Sequence, residues 1–373
     1  MRWLMTLILF AHPVSASEEI PDQYPGSPLY SKPVEVIPYV WSAIGATAPP
    51  TYENSGHNNN LSFIVTGDGV IVINGGAAYV LAKALHKEIR AVTDQEVKLV
   101  INENGQGHAM LGNSYWAEQG VPILAHADAA DEFKENGHRI LESMKRYNRE
   151  KAKGTFVALP TETFEEKRVI QMGDFTVEVL YLGPAHSPGD TQVWLPDQSL
   201  VIAGDIAFHQ RMLPIFEDTI AYDWIETWDT AFEALNATYV IPGHGTPTNM
   251  AQVRRYTRDY LVYLREKIGA HLEEGGDLAD AYYIDQSPYS NLDTFDDLAT
   301  RTAGRVYEQM EFECPGRGTG HMKTSPTAVI QPVRPPDATP PLLVGAPMRI
   351  ASRASPGRRS NTRHPGPNVP VTA

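Results

Sequence analysis

Short runs of apolar, mostly β-branched residues recur between about residue 35 and residue 250 and alternate with segments of helical periodicity. The runs 61–65 and 70–73 flank a Thr-Gly-Asp-Gly turn, which predicts a β-hairpin. Residues 80–92 carry apolar side chains at helical spacing, and residues 98–102 predict a buried strand that leads into a glycine-bearing loop. Further strands are predicted at 175–182, 192–195, 200–203 and 239–241. This alternation predicts an α/β (α+β) fold in which helices cover sheets.

Composition divides the 373 residues into five parts. In the part after residue 250, apolar and aromatic side chains recur every three or four residues from Tyr256 to Ile268, which predicts a helical extension packed on the main domain. After residue 314 the chain holds twelve prolines and eight Lys or Arg, with little apolar periodicity, so a disordered tail is predicted. The predicted parts are a signal peptide at 1–16, a lead-in at 17–34, the main domain at 35–250, the helical extension at 251–313 and the disordered tail at 314–373.

The first sixteen residues have the three parts of a secretory signal. Arg2 gives a positive start, residues 3–11 form an apolar core, and Val14-Ser15-Ala16 is a small-residue cleavage site. The apolar core is shorter than the roughly 20 residues that a membrane-spanning helix needs, and no other segment approaches that length. A buried N-terminal helix is the alternative interpretation. We therefore expect a periplasmic or secreted protein without a transmembrane segment.

Charge and cysteine content limit the partners and the kinds of site. The formal net charge is −14, which argues against nucleic acid as a partner because phosphate binding needs a basic face. The single cysteine, Cys314, excludes an internal disulfide and any multi-cysteine metal site. A small-molecule substrate is the partner that we expect.

Three glycine-flanked segments place a histidine or an aspartate at the end of a predicted strand. They are Gly183-Pro184-Ala185-His186-Ser187-Pro188-Gly189-Asp190, then Ile202-Ala203-Gly204-Asp205, then Ile241-Pro242-Gly243-His244-Gly245. Strand ends are where α/β folds gather ligands and catalytic groups, and histidine and aspartate are the ligand types of hydrolytic zinc sites. The three segments therefore predict metal binding, against the alternative that each histidine is an ordinary surface or core residue.

In this order the segments resemble the metallo-β-lactamase superfamily. Its members carry Gly-x-x-His-(Thr/Ser)-x-Gly-(Asp/Ser), a hydrophobic strand that ends in Gly-Asp, and then Pro-Gly-His-Gly. Residues 60–65 and 73–76 look like the family's opening hairpin, with Asn74 where aspartate is usual. The resemblance covers about residues 35–250. It implies a four-layer αββα sandwich built from two similar halves, here with a C-terminal helical extension.

The loop after the strand at 98–102 departs from the family pattern. Where the pattern has His-x-His-x-Asp-His, this chain has Asn104-Gly105-Gln106-Gly107-His108-Ala109. Aligned without a gap, Asn104 and Gln106 replace two first-site histidines and His108 takes the aspartate position. Shifted by one residue, the Gly-His pair that ends at His108 becomes the counterpart of Asp-His. Amide oxygens bind Zn²⁺ less well than imidazole, so Asn104 and Gln106 are predicted to line a vacated first site and to meet substrate there.

The resemblance also implies roles for single residues. His186 would bind the first metal, Asp205 would bridge, and His244 would bind the second metal. With His108 these residues could supply three nitrogens and one carboxylate, enough for one tetrahedral metal. We expect a single zinc ion, with two ions as the alternative. Asp205 and His108 are the residues predicted to be catalytic.

The ligand set predicts a metal-dependent hydrolase that directs a metal-activated water at a small-molecule ester, amide, thioester or lactam. The alternative is a catalytically degenerate member of the family that binds a ligand in the former active-site cleft, because two histidines and the aspartate have been replaced. A di-iron electron-transfer variant would need more carboxylate and imidazole ligands than the loop offers.

The sequence offers four further residues near the predicted site. Glu103 is the carboxylate nearest in sequence for a proton shuttle, but a solvated loop position is the favoured interpretation. His209 is predicted to contact substrate at the rim, with a surface role as the alternative. His126 is predicted to end a strand beside the site, and His57 to lie in an ordinary polar turn.

The signal-like start generates the first testable prediction. We expect the mature chain to begin near Ser17 and to be found outside the cytoplasm, because the Val-Ser-Ala site precedes that residue. Mass spectrometry of the protein purified from its host measures the mature N-terminus. An intact Met1 on protein from the cytoplasmic fraction would contradict this expectation.

Overall fold

The computed structural model describes residues 23–313. The predicted signal peptide and the predicted disordered tail both lie outside these described residues. Twelve strands in the described part form two sheets. The first sheet has seven strands in the order of the chain, β1 (Val34–Ile37), β2 (Val40–Ala43), β3 (Leu61–Val65), β4 (Val70–Ile73), β5 (Val97–Ile101), β6 (Ile123–His126) and β7 (Glu162–Phe164).

The second sheet has five strands in the order β12-β11-β10-β9-β8. Strands β11 and β12 pair in parallel, whereas the other neighbours in this sheet are antiparallel. The strands are β8 (Lys167–Met172), β9 (Phe175–Tyr181), β10 (Thr191–Leu195), β11 (Leu200–Phe208) and β12 (Tyr239–His244).

Nine α-helices connect and cover the sheets in the described part of the chain. Four of them belong to the first half and five to the second. They are α1 (Tyr79–Val92), α2 (Gly107–Met110), α3 (Asn113–Glu118), α4 (Ala127–Asn148), α5 (Ala221–Thr227), α6 (Met250–Tyr256), α7 (Arg258–Glu273), α8 (Leu278–Ala281) and α9 (Phe295–Glu311). Within the described residues, no helix combines the length and the apolar character that crossing a membrane requires.

Three hydrophobic cores separate four layers. Along β3 and β4 the side chains alternate, so that Phe63 and Val72 face the first group of helices while Ile64 and Ile71 face the second sheet. Both faces of these strands are buried, which explains why their sequences are continuously apolar rather than alternating with polar residues. The remaining core lies between the second sheet and helices α5, α6, α7 and α9.

The layers are therefore helix, sheet, sheet, helix, and the predicted αββα sandwich with C-terminal helices is confirmed. The hairpin of β3 and β4 and the helix α1 lie within one residue of their predicted bounds. The strand predicted at 200–203 is longer than expected, because β11 continues to Phe208. Asp205 therefore lies inside a strand rather than just past its end.

Candidate metal site

Loops from both sheets meet beside the ends of β5, β11 and β12. The loop after β5 carries Glu103 to Gln106, and the backbone N–H of Thr191 at the start of β10 donates to the carbonyl of Glu103 at 2.6 Å. In β11 the pairing with β12 is irregular at Gly204, whose φ of +64° is left-handed. This irregularity turns the side chain of Asp205 toward the loops.

Asp205 lies between two imidazoles. Its Oδ2 is 3.3 Å from Nε2 of His108, and its Oδ1 is 3.3 Å from Nε2 of His244. One ligand atom from each of the three side chains lies within 4.8 Å of the others, and all three are largely buried. The three donors come from the short helix α2, from β11 and from the last residue of β12.

The tautomer of His244 suits metal binding. Its Nδ1 donates to the backbone carbonyl of Asn58, which leaves Nε2 unprotonated and directed at Asp205. The imidazole stacks on Phe208 with ring centroids 4.8 Å apart. The guanidinium of Arg211 lies 3.3 Å from the same Nδ1. His244 is thus held from behind, as histidine ligands commonly are.

Electrostatics within this group favour a charged aspartate. Burial alone would raise the pKa of Asp205, but the neighbouring His108 and His244 hold it well below its usual range. Burial would lower the pKa of His108, yet Asp205 and Glu103 raise it to about 10. Burial lowers the pKa of His244 to about 4. The negative charge of Asp205 is therefore balanced by a proton on His108. A metal cation between Asp205 and His108 could balance the same charge.

At the predicted vacated first site, the side chains of Asn104 and Gln106 form hydrogen bonds with neighbouring side chains. The side-chain amide of Gln106 contacts Nδ1 of His186 at 3.0 Å, and Nδ2 of Asn104 donates to Oδ2 of Asp205 at 3.2 Å. His186 is further from Asp205, with 3.7 Å between Nδ1 and Oδ2, and lies outside the compact group of three. Its Nε2 is buried without a hydrogen-bond partner in the described residues, and burial lowers its pKa to about 4.

This arrangement favours the ungapped alignment over the shifted one. Gln106 lies beside His186, which the resemblance assigns to the first metal, and His108 lies beside Asp205 and His244, which it assigns to the bridge and the second metal. The two halves of the site therefore differ in chemistry. One offers amides and one imidazole, whereas the other offers two imidazoles and a carboxylate.

The favoured interpretation of Glu103 was wrong. The residue is only 3% exposed, and its Oε1 lies 3.1 Å from Nε2 of His108. The polar loop composition suggested solvent exposure, but the strand that carries Asp205 covers this loop. A Cβ at Gly204 would lie 2.5 Å from Oε2 of Glu103, so a glycine is needed there.

His209 also differs from its prediction. It is 3% exposed, and its Nε2 donates to the carbonyl of Thr246, so it supports the loop that follows His244 rather than contacting substrate at the rim. The backbone N–H of His209 donates to the carbonyl of His244. The strong burial follows from its position directly after the central strand β11.

Two other histidines have structural surroundings. His126 ends β6, accepts a hydrogen bond from the backbone N–H of Asp128 at the start of α4, and stacks on Tyr181 with ring centroids 4.0 Å apart. His57 is fully buried and accepts a hydrogen bond from the backbone N–H of Tyr30, so the predicted polar turn is not solvated. Burial lowers the pKa of His57 to about 4.

Sequence reasoning missed the residues that hold the ligand loops. Asn60 donates through Nδ2 to the carbonyls of Pro242 and Gly245, on either side of His244. Asp190 accepts hydrogen bonds from the backbone N–H and the hydroxyl of Ser187, next to His186. Asn60 lies in the run of asparagines at 58–60, which was the available signal, and Asp190 lies inside the His186 motif itself.

Comparison with known proteins agrees with the fold and the motifs. A family model described as "Metallo-beta-lactamase superfamily" matches residues 108–244, from one predicted ligand to another. A "Metallo-beta-lactamase type 2" from Bacteroides fragilis is 24% identical over 193 residues, which is 49% of this chain and 70% of the relative. A protein of the same description from Bacillus cereus is 20% identical over 185 residues. That match covers 48% of this chain and 64% of the relative.

A solved structure, "Metallo-beta-lactamase from Pontibacter korlensis", is similar with a TM-score of 0.51 and 19% identity, over 61% of this chain and 97% of that one. At this identity the similarity speaks for the fold alone. The family match and the four-layer architecture together show the metallo-β-lactamase fold, and the chain is similar to the metallo-β-lactamase superfamily, a family of metal-dependent hydrolases.

The support of the His244 loop by Asn60 is testable. In Asn60→Ala the carbonyls of Pro242 and Gly245 and the N–H of Gly45 lose their side-chain partner. Because buried unpaired groups each cost about 1–3 kcal/mol, we expect the thermal midpoint to fall by roughly 5–10 °C. The neighbouring Asn59→Ala is the control, since the Asn59 amide has no hydrogen-bond partner within residues 23–313. Equal midpoints for the two variants, measured by calorimetry, would contradict the proposed support.

Proposed function

We propose that this protein is a metal-dependent hydrolase that binds one zinc ion through His108, Asp205 and His244. The observation that carries the proposal is the convergence of three ligand atoms within 4.8 Å, in a buried position and from three separate parts of the chain. His186, 3.7 Å from Asp205, is the fourth histidine or aspartate of the predicted set and borders the same space.

The residues fit a zinc ion in their chemistry. Two imidazoles and one carboxylate are a donor set that zinc accepts in catalytic sites, which keep a further position open. Oδ1 of Asp205 has no hydrogen bond in the described residues. The His244 tautomer leaves the lone pair of Nε2 available to a metal ion. A zinc ion, when bound, supplies a Lewis acid that polarises a carbonyl oxygen and makes water acidic enough to attack near neutral pH.

The other groups of the site have separate tasks in the proposed reaction. Asp205 carries the negative charge that holds the cation and orients both imidazoles. The amides of Asn104 and Gln106 offer neutral donors and acceptors where the first metal would lie in the family pattern, and we propose that they bind a polar group of the substrate. The aromatic rings of Phe208 and Trp224 around His186 limit the access of water.

The fold and the relatives support the proposed substrate class. The similar proteins carry the description metallo-beta-lactamase, and a lactam is one of four carbonyl substrates that fit the chemistry. We propose an ester, amide, thioester or lactam of a small molecule, because one fold supports many such reactions.

A second candidate function has an observation in its favour. Gln106 and Asn104 form hydrogen bonds with His186 and Asp205, the groups that would otherwise hold a first metal. A non-catalytic protein that binds a ligand in the same cleft would tolerate such bonds. Metal content separates the two candidates, because the binding protein needs none.

Metal binding gives the third prediction. Elemental analysis of the purified protein should find about one zinc per chain, and His244→Ala or Asp205→Ala should lose it, because two remaining donors do not hold the ion. His138→Ala, on the exposed face of α4, should retain the wild-type content. Full retention in Asp205→Ala, or two fully occupied ions in the wild type, would contradict the proposal.

The first half of the site can be tested by restoring an imidazole. Gln106 lies 3.0 Å from His186, so Gln106→His should bring two histidines together and raise the zinc content above one per chain or tighten zinc binding. Gln119→His, at the exposed end of α3, is the matched control for an added histidine. If both variants bind zinc like the wild type, Gln106 does not occupy the vacated ligand position.

A further inference from the structure

Glu103 is a buried carboxylate that the proposed function does not yet use. Its Oε1 lies 3.1 Å from Nε2 of His108, and the same nitrogen lies 3.3 Å from Oδ2 of Asp205. Both carboxylates are at least 97% buried. One imidazole nitrogen of the metal site is therefore placed between two carboxylates, one from the loop after β5 and one from β11.

The surrounding backbone is shaped to hold Glu103 in this position. Its N–H donates to Oδ1 of Asn74 at 3.0 Å, and its carbonyl accepts from the N–H of Thr191 at 2.6 Å. Gly204 has a left-handed φ of +64°, and any Cβ there would lie 2.5 Å from Oε2 of Glu103. The carboxylate thus occupies a space that exists because residue 204 is a glycine.

The neighbour of Glu103 on the other side is neutral. Asn74 lies at the end of β4 with a left-handed φ of +71°, and it is 1% exposed. Its Oδ1 accepts from the backbone N–H of Glu103, and its Nδ2 donates to the backbone carbonyl of Asn60. A carboxylate at position 74 would be a third buried carboxyl group beside Glu103 and Asp205, and like charges at this range repel strongly.

We propose that Glu103 is a second carboxylate donor of the metal site, placed beside the same nitrogen of His108 that faces Asp205, and that the neutral side chain of Asn74 positions it. In the family pattern aspartates occupy positions 74 and 108; in this chain both positions are neutral or basic, and the carboxylate comes from position 103 between them. The loss of a carboxylate at positions 74 and 108 and the presence of a carboxylate at position 103 are then one coupled change. This inference rests on the proposed metal-dependent function.

The experiment uses the full chain with Glu103→Gln, Asn74→Asp and the double variant. Zinc affinity is measured by competition with a chromophoric chelator, and thermal midpoints are measured on the zinc-free proteins. Glu103→Gln should weaken zinc binding by about tenfold or more, because a neutral amide is a poorer donor for zinc than a carboxylate. Glu88→Gln, a buried glutamate on α1 that pairs with Tyr24, is the control and should bind zinc like the wild type.

The double variant separates a charge exchange from a purely structural role. Asn74→Asp alone should lower the zinc-free midpoint, whereas adding Glu103→Gln to it should raise that midpoint and bring zinc affinity back above that of Glu103→Gln alone. Strictly additive effects, or wild-type zinc affinity in Glu103→Gln, would overturn this inference and leave the proposed function in place. Failure of the wild type to bind zinc would overturn both.

Discussion

The buried carboxylate of Asp205 is the group on which the arrangement of the site depends. It lies inside a central strand, 1% exposed, within 3.3 Å of His108 and His244 and within hydrogen-bonding distance of Asn104. A carboxylate in such a place needs a positive partner, because desolvation of an unpaired charge costs several kcal/mol. A proton shared with His108 supplies that partner, and a bound cation supplies it more completely. The site is therefore built around one negative charge.

Close approach of backbone makes this placement possible. A Cβ at Gly243 would lie 2.1 Å from Oδ1 of Asp205, so the strand that ends in His244 passes the carboxylate at a distance that only glycine allows. Asn60 then ties both sides of His244 to the first sheet. The Pro-Gly-His-Gly segment thus provides a candidate metal ligand, a close backbone contact and an anchoring point within four residues. Its sequence pattern follows from these three demands together.

Much of the fold could be predicted from the sequence, because strands such as β3, β4 and β11 are continuous apolar runs. The strands β7 and β8 are largely polar and were not predicted. The glycine-flanked segments indicated the candidate ligands His186, Asp205 and His244. The positions of Glu103 and His209 could not be read in this way, since their local sequence is polar and only the partner strand determines that they are buried. The extra length of β11 was missed because the Gly-Asp pair reads as a strand end, whereas the chain continues through it as a bulge.

The two halves of the site differ in the charge that they present. The half that contains His108, Asp205 and His244 offers a carboxylate and imidazoles, which bind zinc strongly, and Glu103 adds a further carboxylate behind it. The half that contains Asn104, Gln106 and His186 offers neutral groups that already bond to one another and to Asp205. A second cation would have to displace those bonds and would gain no new negative charge in return. Under the proposed function, the neutral half is therefore better suited to a polar substrate group than to a second ion, and the difference between the halves orients a substrate with its reacting carbonyl toward Asp205.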